Sequence, residues 1–309
     1  MILDADSSPP SRVACSEVAP IAVGALVPVW LRRALTKART LDDATFSLGA
    51  AINALDAVVR ENRPWAGAWR QRLALGAAAT IAHHAGRLEG AAGLRDALLL
   101  TRPGDDVGPA GRLFLAWRKL AIQPAEDSLD DDELLSVISD LGLSIEDITI
   151  SDIVAMLQRA ERGEGFLVTF ADAMTVAGRR GSRSGLGPWL ADLLLARKLG
   201  WSRAVPLLGV YPREAKDQLI ARARAALVAI DLSAELGRRA ERLLAVAPKL
   251  RAKGADRVVE KLLTQDAMTA TDPTTGLNDR ALRRLFDRLV DLGAVRELTG
   301  RSTFRIYGL

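Results

Sequence analysis

Residues Asn278–Leu309, NDRALRRLFDRLVDLGAVRELTGRSTFRIYGL, decide how the chain is read. Leu282, Leu285, Phe286, Leu289 and Leu292 fall at i, i+3, i+4, i+7 and i+10, which puts them on one face of a helix. Arg280, Arg283, Arg284, Asp287, Arg288 and Asp291 point away from that face. Asn278 or Asp279 can cap the helix, and Gly293 can end it because glycine readily takes the left-handed conformation. Val295–Leu298 and Thr303–Tyr307 can then pair across Thr299, Gly300, Arg301 and Ser302, a four-residue turn containing glycine. A helix followed at once by a hairpin is the order in which a winged helix ends, and the turn would be the wing.

A winged helix needs further helices before that point. Ala255–Gln265, with Val258, Val259, Leu262 and Leu263, supplies the first. The stretch between, DAMTATDPTTGL, has room for at most one helical turn, so a positioning helix is expected to be short or missing. In this reading Asn278, Arg280, Arg283, Arg284 and Arg288 lie near a major groove, where arginine bonds to guanine or pairs with phosphate. Arg301 and Arg305 on the wing reach phosphates or the minor groove. The alternative is a helical scaffold or interaction protein whose C-terminal part contacts another protein, its arginines merely solvated.

Charge supports the first reading modestly. The formal charge is +4. From Lys249 onward there are twelve Lys/Arg against eight Asp/Glu, so the whole excess lies there and the first 248 residues, with thirty of each, are neutral. A basic excess confined to one segment fits a phosphate-bearing partner.

Working back, the chain reads as mainly α: apolar residues make up 49 % but aromatics only 5 %, a balance leaning on Ala and Leu. Residues 1–19 are Ser/Pro/Asp-rich and read as disordered, residues 20–248 as an α-helical body, and residues 249–309 as the winged-helix-like domain. Pro28–Leu31, with Trp30, is expected to dock on the body. Within the body, helices are expected from Asp42 to Arg60 (stripe Phe46, Ile52, Leu55, Val59), from Pro64 through the small-residue run to about Gly86, over Glu89–Leu100 and over Arg112–Ala121, an antiparallel array. Helices follow after the acidic run at Asp130 and over Asp147–Arg159. Phe166–Phe170 is β-like but too short to assign, and Ala177–Gly187 reads as a loop. Pro188–Leu199 and Trp201–Leu208 continue the helical pattern. The longest helix runs from Pro212 to about Ala247, with Leu219, Ile220, Ala223, Leu227, Ile230 and Ala234 on one side. Pro248 stops it, and PKLRAKGAD is a basic hinge.

Other constellations favour plain structural roles. His83 and His84 are the two histidines, and adjacent helix positions diverge by about 100°, so they do not converge on one ion. The carboxylates at Asp130–Glu133 suit a helix's first turn, and the loop Arg102–Gly111 suits a turn with Pro109 opening a helix. Trp65, Trp69 and Trp117 are expected core anchors. Arg179, Arg180 and Arg183 form a basic loop with no nucleophile elbow. No catalytic set, phosphate loop, dinucleotide fingerprint or metal set is found, so neither an enzyme nor a cofactor is expected. The single cysteine, Cys15, allows no internal disulfide, and the apolar stretch Val18–Leu31 is too short and proline-broken for a membrane span. A cytoplasmic location is expected, with DNA as the partner and the body as a dimerisation or protein-binding surface.

LFDRLVDLGAVRELTGRSTFRIYGL resembles the C-terminal winged helix of bacterial Fic-type and small regulator proteins, although the Fic catalytic motif is absent. Together with PWAGAWRQRLAL, RPGDDVGPAGRLFLAWRKL and ERLLAVAPKLRAKGA, it resembles an uncharacterised proteobacterial domain-of-unknown-function family common on plasmid-like replicons of rhizobia. That resemblance implies one continuous architecture and a bacterial cytoplasm. It assigns no activity to any residue.

Overall fold

The computed structural model describes residues 27–309 apart from 103, 127–128, 145–149, 163–164, 166–167, 169, 175–184, 208–214, 251–253 and 301–302. Residues 1–19, the arginines of the 177–184 loop, Arg301 and the Pro212 helix start lie outside the described residues. The protein is mainly α, with a small antiparallel sheet near its C-terminus.

The body comprises α1 (Val29–Lys37), α2 (Leu41–Arg60), α3 (Ala66–His84), α4 (Ala91–Leu99), α5 (Gly108–Ile122), α6 (Asp131–Asp140), α7 (Ile150–Glu161), α8 (Leu186–Leu199) and α9 (Ala215–Val246). Local chemistry sets their ends. Thr40 and Asp43 form a reciprocal capping box on α2, each side chain bonding the other's backbone N–H. Asp130 accepts from Glu133 N at the start of α6, Pro109 sits in the first turn of α5, and Gly200 closes α8 in the left-handed conformation at φ 63°.

α9 packs along α2, α3 along α5, and α4 along α5. Indole N–H groups tie these layers together where a buried donor needs a partner. Trp69 donates to Ala229 O on α9 at 2.8 Å, and Trp189 on α8 donates to Ala116 O on α5 at 2.9 Å. Trp65 and Trp117 are buried as anchors too. Leu219, Ile220, Ala223, Leu227 and Ile230 form the buried side of α9 as their spacing predicts.

Three expectations are corrected. Trp201–Leu207 is not helical: left-handed Gly200 has broken the run, Pro206 has no N–H to offer, and Leu207 N donates to Asp192 at 2.7 Å instead of to a helical carbonyl. Pro28–Leu31 docks through Leu31, with Leu35 beyond it, and not through Trp30, which is 50 % exposed beside Phe46, 67 % exposed. Phe46 accordingly lies off the α2 stripe, whose buried side is Ala44, Leu48, Ala51, Leu55, Val58 and Val59. The ambiguous stretch at Phe166–Phe170 is helical at Val168 and Phe170, its other positions lying outside the described residues.

The C-terminal segment runs α10 (Ala255–Thr264), β1 (Met268–Thr269), a single 3-10 turn (Pro273–Thr275), α11 (Asp279–Asp291), β2 (Arg296–Glu297) and β3 (Ile306–Gly308). The sheet order is β1-β3-β2, all antiparallel, with Met268 opposite Tyr307 and Arg296 opposite Gly308. The hairpin strands are shorter than the sequence suggests, and β1 was not foreseen. Leu282, Leu285, Phe286 and Leu289 are buried, and Phe286 stacks on Tyr307 at 4.2 Å between ring centroids; Leu292, expected on the same face, caps the helix end and is 46 % exposed. Asn278 caps α11 by accepting from Ala281 N at 2.9 Å; beyond its end Gly293 has φ 64° and Ala294 N bonds Leu289 O. Side chains of this segment and of the body belong to one apolar core.

Candidate nucleic-acid interface

The amphipathic sequence of α11 leaves its arginines outside by necessity, since one face is consumed by the core. Arg280, Arg283, Arg284 and Arg288 are exposed and have no ion-pair partner among the described residues. Asn278, also exposed, commits its side-chain oxygen to the helix cap. Asp287 and Asp291 share the outward face, so the positive charge concentrates in the N-terminal half of the helix. Arg305, on the hairpin, stands 3.8 Å from both Asp287 and Glu297 and is largely neutralised by them. Arg301 lies outside the described residues. Thus α11 brings four of the expected arginines to one helix surface, and Arg305 joins its edge already paired.

The turn that stands where the positioning helix is expected to be short or missing is built, not loose. Asp272 accepts from Thr274 N at 2.9 Å and from Lys261 Nζ of α10 at 2.6 Å, and Gly276 leaves the turn at φ 73°. Those bonds hold the Asp272 carboxyl below the ordinary carboxylate range even though burial opposes them.

What fixes this surface relative to the body is a set of residues that no motif announced. Asp266, between α10 and β1, is 4 % exposed and receives Arg95 Nε of α4 at 2.6 Å, with Arg72 Nε of α3 on its other oxygen. Arg72 also donates to Asp266 O at 3.0 Å, and Gln71 Nε2 donates to Thr264 O at 2.8 Å. The approach is close enough to require glycine twice. A Cβ on Gly67 would sit 2.7 Å from Thr264 O, and one on Gly308 would sit 2.7 Å from Asp266 O. Arg118 of α5 feels Asp266 as a favourable charge, but burial pulls its pKa down, and its Nε has no partner. Arg70 of α3, 6 % exposed, is pulled down to about 10 by burial, with Arg203 adding like-charge repulsion.

His83 is exposed and His84 half-buried, with ring centroids 6.2 Å apart. Among the described residues no three His, Cys, Asp or Glu side chains are grouped to hold a metal ion, and no helix is long and apolar enough to cross a membrane. Around Arg102–Gly111, Asp106 accepts from Gly108 N and from Arg112, a self-contained turn leading into α5.

No curated protein and no solved structure is significantly similar to the chain. A family model described as "Protein of unknown function (DUF1403)" matches residues 21–309, nearly the whole length, and the chain therefore belongs to the DUF1403 family.

Proposed function

We propose that this protein binds DNA through its C-terminal segment, used as a winged helix with α11 as the recognition helix, in a bacterial cytoplasm and in a regulatory or replicon-maintenance role. The observation that carries the reading is a combination: helix, strand, turn, helix and hairpin with sheet order β1-β3-β2, and Arg280, Arg283, Arg284 and Arg288 presented outward without carboxylate partners. Arginines on an exposed helix can enter a major groove and contact both bases and phosphates. The well-ordered turn at Pro273–Thr275 would stand in for the positioning helix.

The test uses the full chain, because Asp266 and the shared core make the segment part of the body's structure. Fluorescence anisotropy with a random duplex across a salt series is expected to show affinity falling steeply with salt. Arg280, Arg283 and Arg284 changed together to alanine are expected to weaken binding and flatten that slope; an unchanged slope would remove these residues from the interface.

A second reading, contact with another protein, is favoured by one observation. Val290 is 38 % exposed, Leu292 46 % and Phe304, at the hairpin, 70 %. Failure of the full chain to bind duplex at any salt concentration would favour it.

A further inference from the structure

The Asp266 junction is unbalanced. One carboxylate holds Arg72 and Arg95 on its oxygens, and Arg118 feels its charge without bonding to it. Arg118 is left as an excess cation: no hydrogen bond or ion pair reaches its guanidinium among the described residues, and its Nε is buried. A buried N–H without an acceptor is costly, and the rest of this half-buried guanidinium is open to one. Arg118 also borders a pocket of about 380 Å³ between α5 and α6, lined by Leu115, Arg118, Lys119, Ile122, Gln123, Glu133 and Ser136.

The lining divides by charge and polarity. Leu115 and Ile122 provide apolar wall, and Ile122 is 43 % exposed. Lys119 is already neutralised, donating to Asp140 at 2.8 Å and to Ser136 at 2.6 Å. Glu133 lies in the first turn of α6, where the helix dipole favours its charge, and accepts from Gln123 at 3.2 Å. Arg118 is therefore the one lining cation with no hydrogen-bonding acceptor of its own among the described residues. A pocket of this size, mostly apolar with a single unanswered cation, has the character of a small-molecule site.

We propose that the α5–α6 pocket binds a small amphipathic anion, a hydrocarbon body carrying one carboxylate, with the hydrocarbon on Leu115 and Ile122 and the carboxylate on Arg118. The carboxylate can accept two guanidinium N–H bonds, a geometry that arginine suits better than lysine. This ligand is independent of what α11 contacts.

Isothermal titration calorimetry of the full chain with octanoate and with 1-octanol tests it, because the two probes share a hydrocarbon body and differ in charge. Octanoate is expected to bind at least about ten-fold more tightly than octanol, the margin of a charge-assisted bond over a neutral one. Arg118→Gln, which strands no protein partner, is expected to abolish that preference while leaving octanol binding unchanged. Leu115→Trp, which fills the pocket, is expected to weaken both probes. No octanoate binding, equal affinity for the two probes, or a preference that survives Arg118→Gln would each overturn the proposal.

Discussion

Arg95 on α4 donates its Nε–H to Asp266 at 2.6 Å across 171 residues of chain, and both side chains are nearly inaccessible to water. Burial of that kind makes the pair costly to break from one side. Removing Asp266 leaves Arg72 and Arg95 facing each other without an anion. Asp266→Ala is accordingly expected to destabilise the protein by roughly 3–5 kcal/mol, and Asp266→Asn, which keeps an acceptor, by less. Urea midpoints measure both; a loss under about 1 kcal/mol for the alanine variant would mean the junction does not hold the C-terminal segment.

Gly67 and Gly308 test the same contact by sterics alone. A methyl at either position would press on backbone oxygen at 2.7 Å, Thr264 O in one case and Asp266 O in the other, and backbone yields little. Gly67→Ala and Gly308→Ala are each expected to cost about 1–3 kcal/mol in thermal or urea unfolding. Gly49→Ala, on exposed α2 surface with nothing within 4 Å of the new methyl, serves as the control and is expected to be neutral or stabilising.

Asp192, fully buried on α8, accepts from Arg222 of α9 and from Leu207 N, both at 2.7 Å. Burial pushes its pKa from 3.8 up to about 6, while Arg222 and the backbone N–H pull the other way. Because the folded value lies above the unfolded one, the folded state holds this proton more tightly. Its contribution to stability is present at low pH and is lost as pH rises from about 4 to about 6. Asp43, Asp56, Asp106 and Asp272 are shifted downward and favour the folded state in the opposite direction, so total stability is not the right readout. The stability of the wild type minus that of Asp192→Asn is expected to fall between pH 4 and pH 6; a flat or rising difference would show the carboxylate ionised throughout.

Individual arginines of α11 are expected to differ in their salt signature. Arg284, unpaired and outward, should lower the slope of log affinity against log salt by about one when changed to alanine, as the loss of one phosphate contact does. Arg305 stands between Asp287 and Glu297 and has less charge to offer, so Arg305→Ala should change the slope little. Equal effects from the two would argue that Arg305 on the hairpin contacts phosphate as fully as Arg284 on α11.

Local pattern and distant partnership divided the legible from the illegible. The α11 stripe from Leu282 to Leu289, the Asn278 cap and the Gly293 stop were readable because each depends on residues within one or two turns. β1 was not, since two residues make a strand only when β3, some 38 positions later, lies beside them. The Trp201 segment misled because its apolar residues have helical spacing, yet its backbone bonds to Asp192 and Trp201 Nε1 donates to Asp56 on α2. Arg72, Arg95, Arg118 and Asp266 carried no signal at all: isolated arginines on separate helices look like solvated charge until packing converges them.

By itself the amino-acid sequence determined most of the segments that become helices, where most of them stop, and that α11 turns apolar residues inward and arginines outward, because helical periodicity and capping are short-range effects. Only the tertiary structure decided that Asp266 seats the C-terminal segment on α3 and α4, that Arg118 is left over at a pocket's edge, and that Asp192 meets Arg222 out of water. Those relationships depend on how desolvated charges find one another across the folded chain, and no local stretch encodes the meeting.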